Sequence, residues 1–234
     1  MVAIKVIGIS PSRRAFLRSV ASAAPAAIVV TGGVMVSAAC HQEVAQTKYQ
    51  PKFFDAGEWA TLVALVDCLI PADSEGPGAL EAGVADFIDL QMNTAYGYGA
   101  LWYMHGPFVK ASPAMGYQLE FSPREMYRSA LRGLQAAVRE RHGEEFDQLA
   151  AALKDSVISE LEVGRMDIGS VPASDFFVQL LQNTREGYFC DPKHGGNKGM
   201  AAWRMINFPG ARADYIDWVE QYGRRYPLPP VSSA

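Results

Sequence analysis

Apolar residues recur at spacings of three and four along most of the chain, and those stretches are bounded by helix signals. In "FDAGEWATLVALVDCLIP", Trp59, Leu62, Val63, Val66, Leu69 and Ile70 keep the helical period. Asp55 stands where an N-cap is needed, with Glu58 three residues on as in a capping box, and Pro71 stops the run. Residues 74–78, "SEGPG", read as a loop. A second helix is predicted over residues 80–92, with Leu80, Val84, Phe87 and Ile88 on one face. "FSPREMYRSALRGLQAAVRERHG" is the clearest helix. Ser122 caps it, Pro123 takes the first helical position, Glu125 closes the box and Gly143 ends it. Its apolar stripe is Tyr127, Leu131, Leu134 and Val138. A further helix is predicted through Phe146, Leu149, Leu153, Val157 and Leu161, and another over residues 174–188 with Phe177, Leu180 and Leu181 inward. Strand-like alternation, internal repeats and long linkers are missing. The expected architecture is all-α: a single helical domain over residues 40–234 with long irregular loops.

The first 39 residues follow a different pattern. Lys5, Arg13, Arg14 and Arg18 precede a moderately apolar run over residues 19–39, and no acidic residue appears before Glu43. A basic region, an apolar region and a small-residue end are the three parts of a secretory signal. "SRRAFLR" adds the twin-arginine element through Arg13, Arg14, Phe16 and Leu17, which makes the twin-arginine translocase a partner and the periplasm the destination. Pro25, Gly32 and Gly33 argue against a durable membrane anchor. Two ends of the signal stay open, cleavage after Ala39 and lipidation of Cys40. Ser37-Ala38-Ala39 lacks the bulky aliphatic of a lipoprotein box, so cleavage ranks first.

Composition narrows the classes. Hydrophobic residues make up 49% of the chain and charged ones 20%, which is globular rather than disordered. The formal net charge is -4, and the leader is basic, so the remainder is more acidic still. That balance leaves no footprint for nucleic acid. In an exported protein Cys68 and Cys190 are a possible disulfide; two buried thiols are the other reading.

The search for chemistry returns little. His41, His105, His142 and His194 are scattered singly, with no helical i, i+4 pair. Asp191 and His194 alone are too sparse a set to specify a metal. There is no nucleophile elbow, no P-loop, no dinucleotide fingerprint and no C-x-x-C-H haem motif. "GGNKG" at residues 195–199 is a phosphate-cradle candidate through Lys198, but a tight turn explains it more simply. No catalytic, cofactor-binding or metal-binding residue is therefore assigned.

Two stretches resist a bland reading. "AYGYGALWYMHGPF" puts Tyr96, Tyr98, Trp102, Tyr103 and Phe108 into a loop-like region. "REGYFCDPKHGGNKGMAAWRMINFPGARADY" fills residues 185–215 with glycine, proline and aromatic residues and little periodicity. The second stretch resembles the C-terminal signature of the gluconate 2-dehydrogenase subunit 3 family, through Gly187, Phe189, Asp191-Pro192, Gly195-Gly196-Asn197, Trp203 and Phe208-Pro209-Gly210. "LVDCLIPAD" and the twin-arginine leader are similar to that family as well. His194, Ala202 and Asn207 depart from its usual Tyr, Gly and Gly, which leaves the substrate open among gluconate and other sugars, sugar acids or polyols.

The resemblance implies a complex at the periplasmic side of the membrane. A large subunit carries FAD, a cytochrome c subunit carries haem c, and this chain is a non-catalytic small subunit without a cofactor. A leader on a cofactor-free chain makes sense if a folded flavoprotein is carried out on it. Trp203 is then the expected structural anchor. Tyr98, Trp102, Tyr103, His194 and Asn197 are the candidate contacts with the flavin subunit. A free-standing periplasmic metal- or ligand-binding protein is the alternative.

Overall fold

The computed structural model describes residues 49–109 and 112–233. The expected leader over residues 1–39, with Arg13, Arg14, Phe16 and Leu17, lies outside the described residues, as does Cys40. Among the described residues there are six α-helices and no strand: α1 (Ala56–Leu69), α2 (Val84–Gln91), α3 (Pro123–His142), α4 (Ala151–Glu162), α5 (Ala173–Phe189) and α6 (Ala201–Met205). The fold is all-α, as its apolar spacing predicts.

Both capping boxes form. The Asp55 carboxylate accepts from the Glu58 amide at 2.9 Å, and Glu58 accepts from the Asp55 amide at 3.1 Å. Glu125 does the same for Ser122 at 2.8 Å, and Gly143 closes α3 in the left-handed conformation at φ 74°. The stripe Tyr127, Leu131, Leu134 and Val138 is fully buried.

Two boundaries differ from the sequence reading. α2 starts at Val84 rather than near residue 80, because Gly83 turns left-handed at φ 71° and leaves Leu80 exposed. The segment through Phe146 and Leu161 is not one helix. Leu149 and Ala150 are extended, so a 3-10 turn (Phe146–Gln148) buries Phe146 and Leu149 before α4 begins. Leu153 consequently faces out, while Val157 and Leu161 face in.

α5 is the centre of the domain and packs against α1, α2, α3 and α4. An edge-to-face chain of rings, Phe54, Tyr127 and Phe176, crosses the core at centroid spacings of 5.9 and 5.7 Å. Between α4 and α5 the chain crosses α3 at Gly133, where a Cβ would fall 1.9 Å from the Ile168 carbonyl oxygen. Beyond α6 no described residue is buried.

Candidate functional site

The two irregular stretches fold in opposite senses. The one after residue 185 is more ordered than its sequence suggests: α5 runs on to Phe189, and α6 takes residues 201–205. Between them the chain doubles back on α5. The Asn197 amide donates to the Gly187 carbonyl at 2.9 Å. Its side-chain Nδ2 donates to the Cys190 carbonyl at 2.9 Å, and its Oδ1 accepts from the Ala202 amide at 3.0 Å. Asn197 is fully buried in a left-handed conformation at φ 42°, which asparagine tolerates better than most residues. Its expected place on a partner surface is therefore corrected: it pins the turn from inside.

Glycines make this approach possible. A Cβ on Gly196 would lie 2.1 Å from the Gly187 carbonyl oxygen, and one on Gly187 would lie 2.7 Å from the Phe87 ring. Lys198 is used locally. Its amide donates to the Ala82 carbonyl at 3.1 Å, its stem covers Gly83, and its ammonium pairs with Asp86. That leaves a tight turn, not a phosphate cradle. Trp203 is buried; its Nε1 donates to the Phe189 carbonyl at 2.7 Å and its ring meets Phe208 at 5.1 Å. His194 is exposed on the turn Pro192–His194.

The possible Cys68–Cys190 bridge is not formed. Cys190 faces into the turn instead, where its sulfur donates to the Gly187 carbonyl at 3.4 Å and lies against Gly196. Burial pushes its thiol pKa up, so it is a weak nucleophile there.

The first stretch is rooted inside and open outside. Tyr96 is half-buried, and its hydroxyl accepts from Gln179 at 2.6 Å and from Asn183 at 2.8 Å, both on α5. Burial pushes its pKa up to about 12. Asn183 in turn accepts from the fully buried Tyr127 hydroxyl at 3.1 Å. Trp102 is held edge-on to Tyr96 at 5.8 Å and against Tyr117 at 4.7 Å, so it belongs partly to the domain's own packing. The crest carries Leu101, Tyr103, Val109 and Met115, exposed by 70, 85, 60 and 69%. Tyr98 is also exposed, with the Arg124 guanidinium 4.0 Å over its ring. A cleft of about 410 Å³ opens among Trp102, Tyr103, Phe108, Met115 and Tyr117.

The burial of two carboxylates, Asp89 and the capping-box residue Glu58, escaped the sequence reading. Asp89 is fully buried in α2 and accepts from Tyr49 Oη, and from the amides of Lys52, Phe53 and Phe54, at 2.8–3.1 Å. Glu58 is almost wholly buried and accepts from Arg132 Nε at 3.0 Å, besides closing its capping box. Neither stands out in sequence, because an acidic residue within a helix is usually on its wet face.

Among the described residues no three His, Cys, Asp or Glu side chains gather as a metal site, and no helix is long and apolar enough to cross a membrane. The arrangement offers an aromatic contact surface above a rigid core. Comparison with family models matches residues 56–210 to the family described as gluconate 2-dehydrogenase subunit 3. Searches of curated proteins and of solved structures gave no significant match.

Proposed function

The chain belongs to the gluconate 2-dehydrogenase subunit 3 family, a family of dehydrogenase-complex subunits, and from that membership we propose that it is the non-catalytic small subunit of a periplasmic, membrane-associated dehydrogenase. Its large partner carries FAD and oxidises gluconate or a related sugar, sugar acid or polyol. A cytochrome c subunit passes the electrons on. This chain binds the flavoprotein and escorts it through twin-arginine export.

The observation that supports the partner role is the aromatic crest. Tyr103 is 85% exposed on a loop whose root is fixed to α5 by Tyr96. An exposed tyrosine on a rigid base is the kind of anchor that interfaces favour, since little conformational freedom is lost on binding. On this reading Tyr98, Tyr103 and the outer edge of Trp102 make the contact, and His194, exposed on its own turn, is a further candidate.

The escort role rests on the leader. Arg13→Lys with Arg14→Lys keeps the charge and removes the guanidinium pair. Both this subunit and the flavoprotein are then expected to stay in the cytoplasm, measured by fractionation and immunoblot. A flavoprotein that still reaches the periplasm would refute the escort role and leave the complex untouched. Separately, the chain lacking its leader is expected to purify colourless and without dehydrogenase activity. A flavin or haem band that survives gel filtration would assign it a catalytic part.

A further inference from the structure

The C-terminal tail lies beyond the family-matched residues, yet it is fastened to their last turn. Gly210 and Val231 form a parallel bridge. The Ala211 amide donates to the Val231 carbonyl at 2.8 Å, and the Val231 amide donates to the Pro209 carbonyl at 3.2 Å. Gly210 is left-handed at φ 74°, and a Cβ there would fall 2.1 Å from the Val231 carbonyl oxygen. The Arg212 guanidinium donates to the Pro229 carbonyl.

Asp191 grips the end of the tail. It accepts from Ser232 Oγ at 2.5 Å, from the Ser233 amide at 2.8 Å and from Ser233 Oγ at 2.8 Å. The tail sequence "YPLPPVSS" carries prolines at 227, 229 and 230. Such a segment cannot form a helix and favours an extended backbone that needs little ordering. Main-chain pairing along an edge, with proline rings over aromatic side chains, is a recurring mode of peptide recognition. Here the main-chain pairing occurs within one chain.

The tail fits its seat incompletely. None of its described residues is buried, and a cleft of about 500 Å³ remains between it and Trp203, Arg204, Phe208 and Arg225. Lys193 Nζ also donates to Ser233 Oγ at 2.7 Å. The tail is thus held by main-chain bonds at one point and by the solvent-accessible side chains of Arg212, Asp191 and Lys193, over a wall it does not fill. A segment held in that way is exchangeable. We propose that Trp203, Phe208, Gly210 and Asp191 form a docking groove for an extended, proline-rich segment of a partner chain, and that the tail occupies this groove until it is displaced. This inference does not depend on which enzyme the partner is or on the export role.

The test uses the full chain and a labelled peptide copying residues 226–234. Val231→Pro with Ser232→Ala and Ser233→Ala removes the amide and hydroxyls that hold the tail. The peptide is expected to bind this variant at least about tenfold more tightly than the wild-type chain, whose groove is free in only a small fraction of molecules. Adding Asp191→Ala is expected to reverse most of that gain. Equal binding to both chains, or binding to neither, with helical circular dichroism intact, would overturn the proposal. If the tail variant loses its helical signal, hydrogen exchange of the wild-type chain decides. Protection of the Ala211 and Val231 amides that is measurable but weaker than that of α5 supports an exchangeable strap. Coil-like exchange, or protection equal to that of α5, refutes it.

Discussion

The turn between α5 and α6 and the aromatic loop before α3 begin from similar sequences. Both are rich in glycine and aromatic residues and poor in periodicity. In the turn Trp203 is inside, and Asn197 bonds four main-chain groups, those of Gly187, Cys190, Met200 and Ala202. In the loop the root is fixed and the crest is apolar and wet. The glycines separate the turn and the loop's root, where Gly97 has the Met92 carbonyl oxygen 2.4 Å from where a Cβ would be, from the loop's crest. Gly196 has a carbonyl oxygen 2.1 Å from where a Cβ would be, whereas Gly116 has nothing within 4 Å and Gly106 nothing nearer than 3.6 Å. Glycine in the turn allows chain to touch chain; at the loop's crest it serves only the path of the backbone. Aromatic content alone does not tell a contact surface from a folded-back loop.

Substitutions can break this contrast, and the largest effect belongs to the turn. Trp203→Ala removes a buried indole and orphans the Phe189 carbonyl, so a loss of about 3–5 kcal/mol is expected in chemical denaturation. Gly196→Ala comes next, at about 3 kcal/mol and a melting temperature lower by roughly 6–12 °C, because the opposing atom is backbone and cannot swing away. If either variant melts like the wild type, the turn is not the rigid element described.

Tyr103→Ala tests the other side. It should weaken co-purification of the large subunit by about 2 kcal/mol, roughly 30-fold in affinity, with the melting temperature of the small subunit unchanged. Trp102→Ala should lower both, since its ring also packs on Tyr96 and Tyr117. A Tyr103→Ala chain that unfolds early would move the crest into the core.

The smallest effect lies at the loop's root. Tyr96 has its pKa raised to about 12 from about 10, so the folded chain keeps a proton that the unfolded chain releases. Stability is whole below pH 10 and falls as pH rises towards 12, by about 1–2 kcal/mol. Measured as melting temperature against pH, Tyr96→Phe should make that fall shallower without abolishing it, because burial raises the pKa of Tyr49, Tyr117 and Tyr127 in the same direction.

Most of the helical frame was legible in the chain. The boxes at Asp55 and Ser122 work because capping is a local matter of three or four residues. The stripe on α3 is legible because one face of a long helix must be dry. The errors have tertiary causes. Gly83 delays the start of α2, turning left-handed where Lys198, more than a hundred residues on, lies across it. Leu153 follows the period but sits outside, because the chain straightens at Leu149 and restarts the phase. Asn197 reads as a surface residue in sequence because its bonds to Gly187, Cys190 and Ala202 depend on a turn whose path sequence does not show. The bridge between Cys68 and Cys190 failed for the same kind of reason: the fold aims Cys190 at Gly187.

Asp89 has a mechanical meaning. Four donors from residues 49–54 converge on this one carboxylate, which is set in the middle of α2 and shielded from water. A tension applied to the chain at Tyr49 reaches the body through that knot before it reaches α1. The load then passes into α2 and, through its packing, into α5. Strain entering at Tyr49 is thereby shared with the central helix of the domain instead of falling on α1 alone.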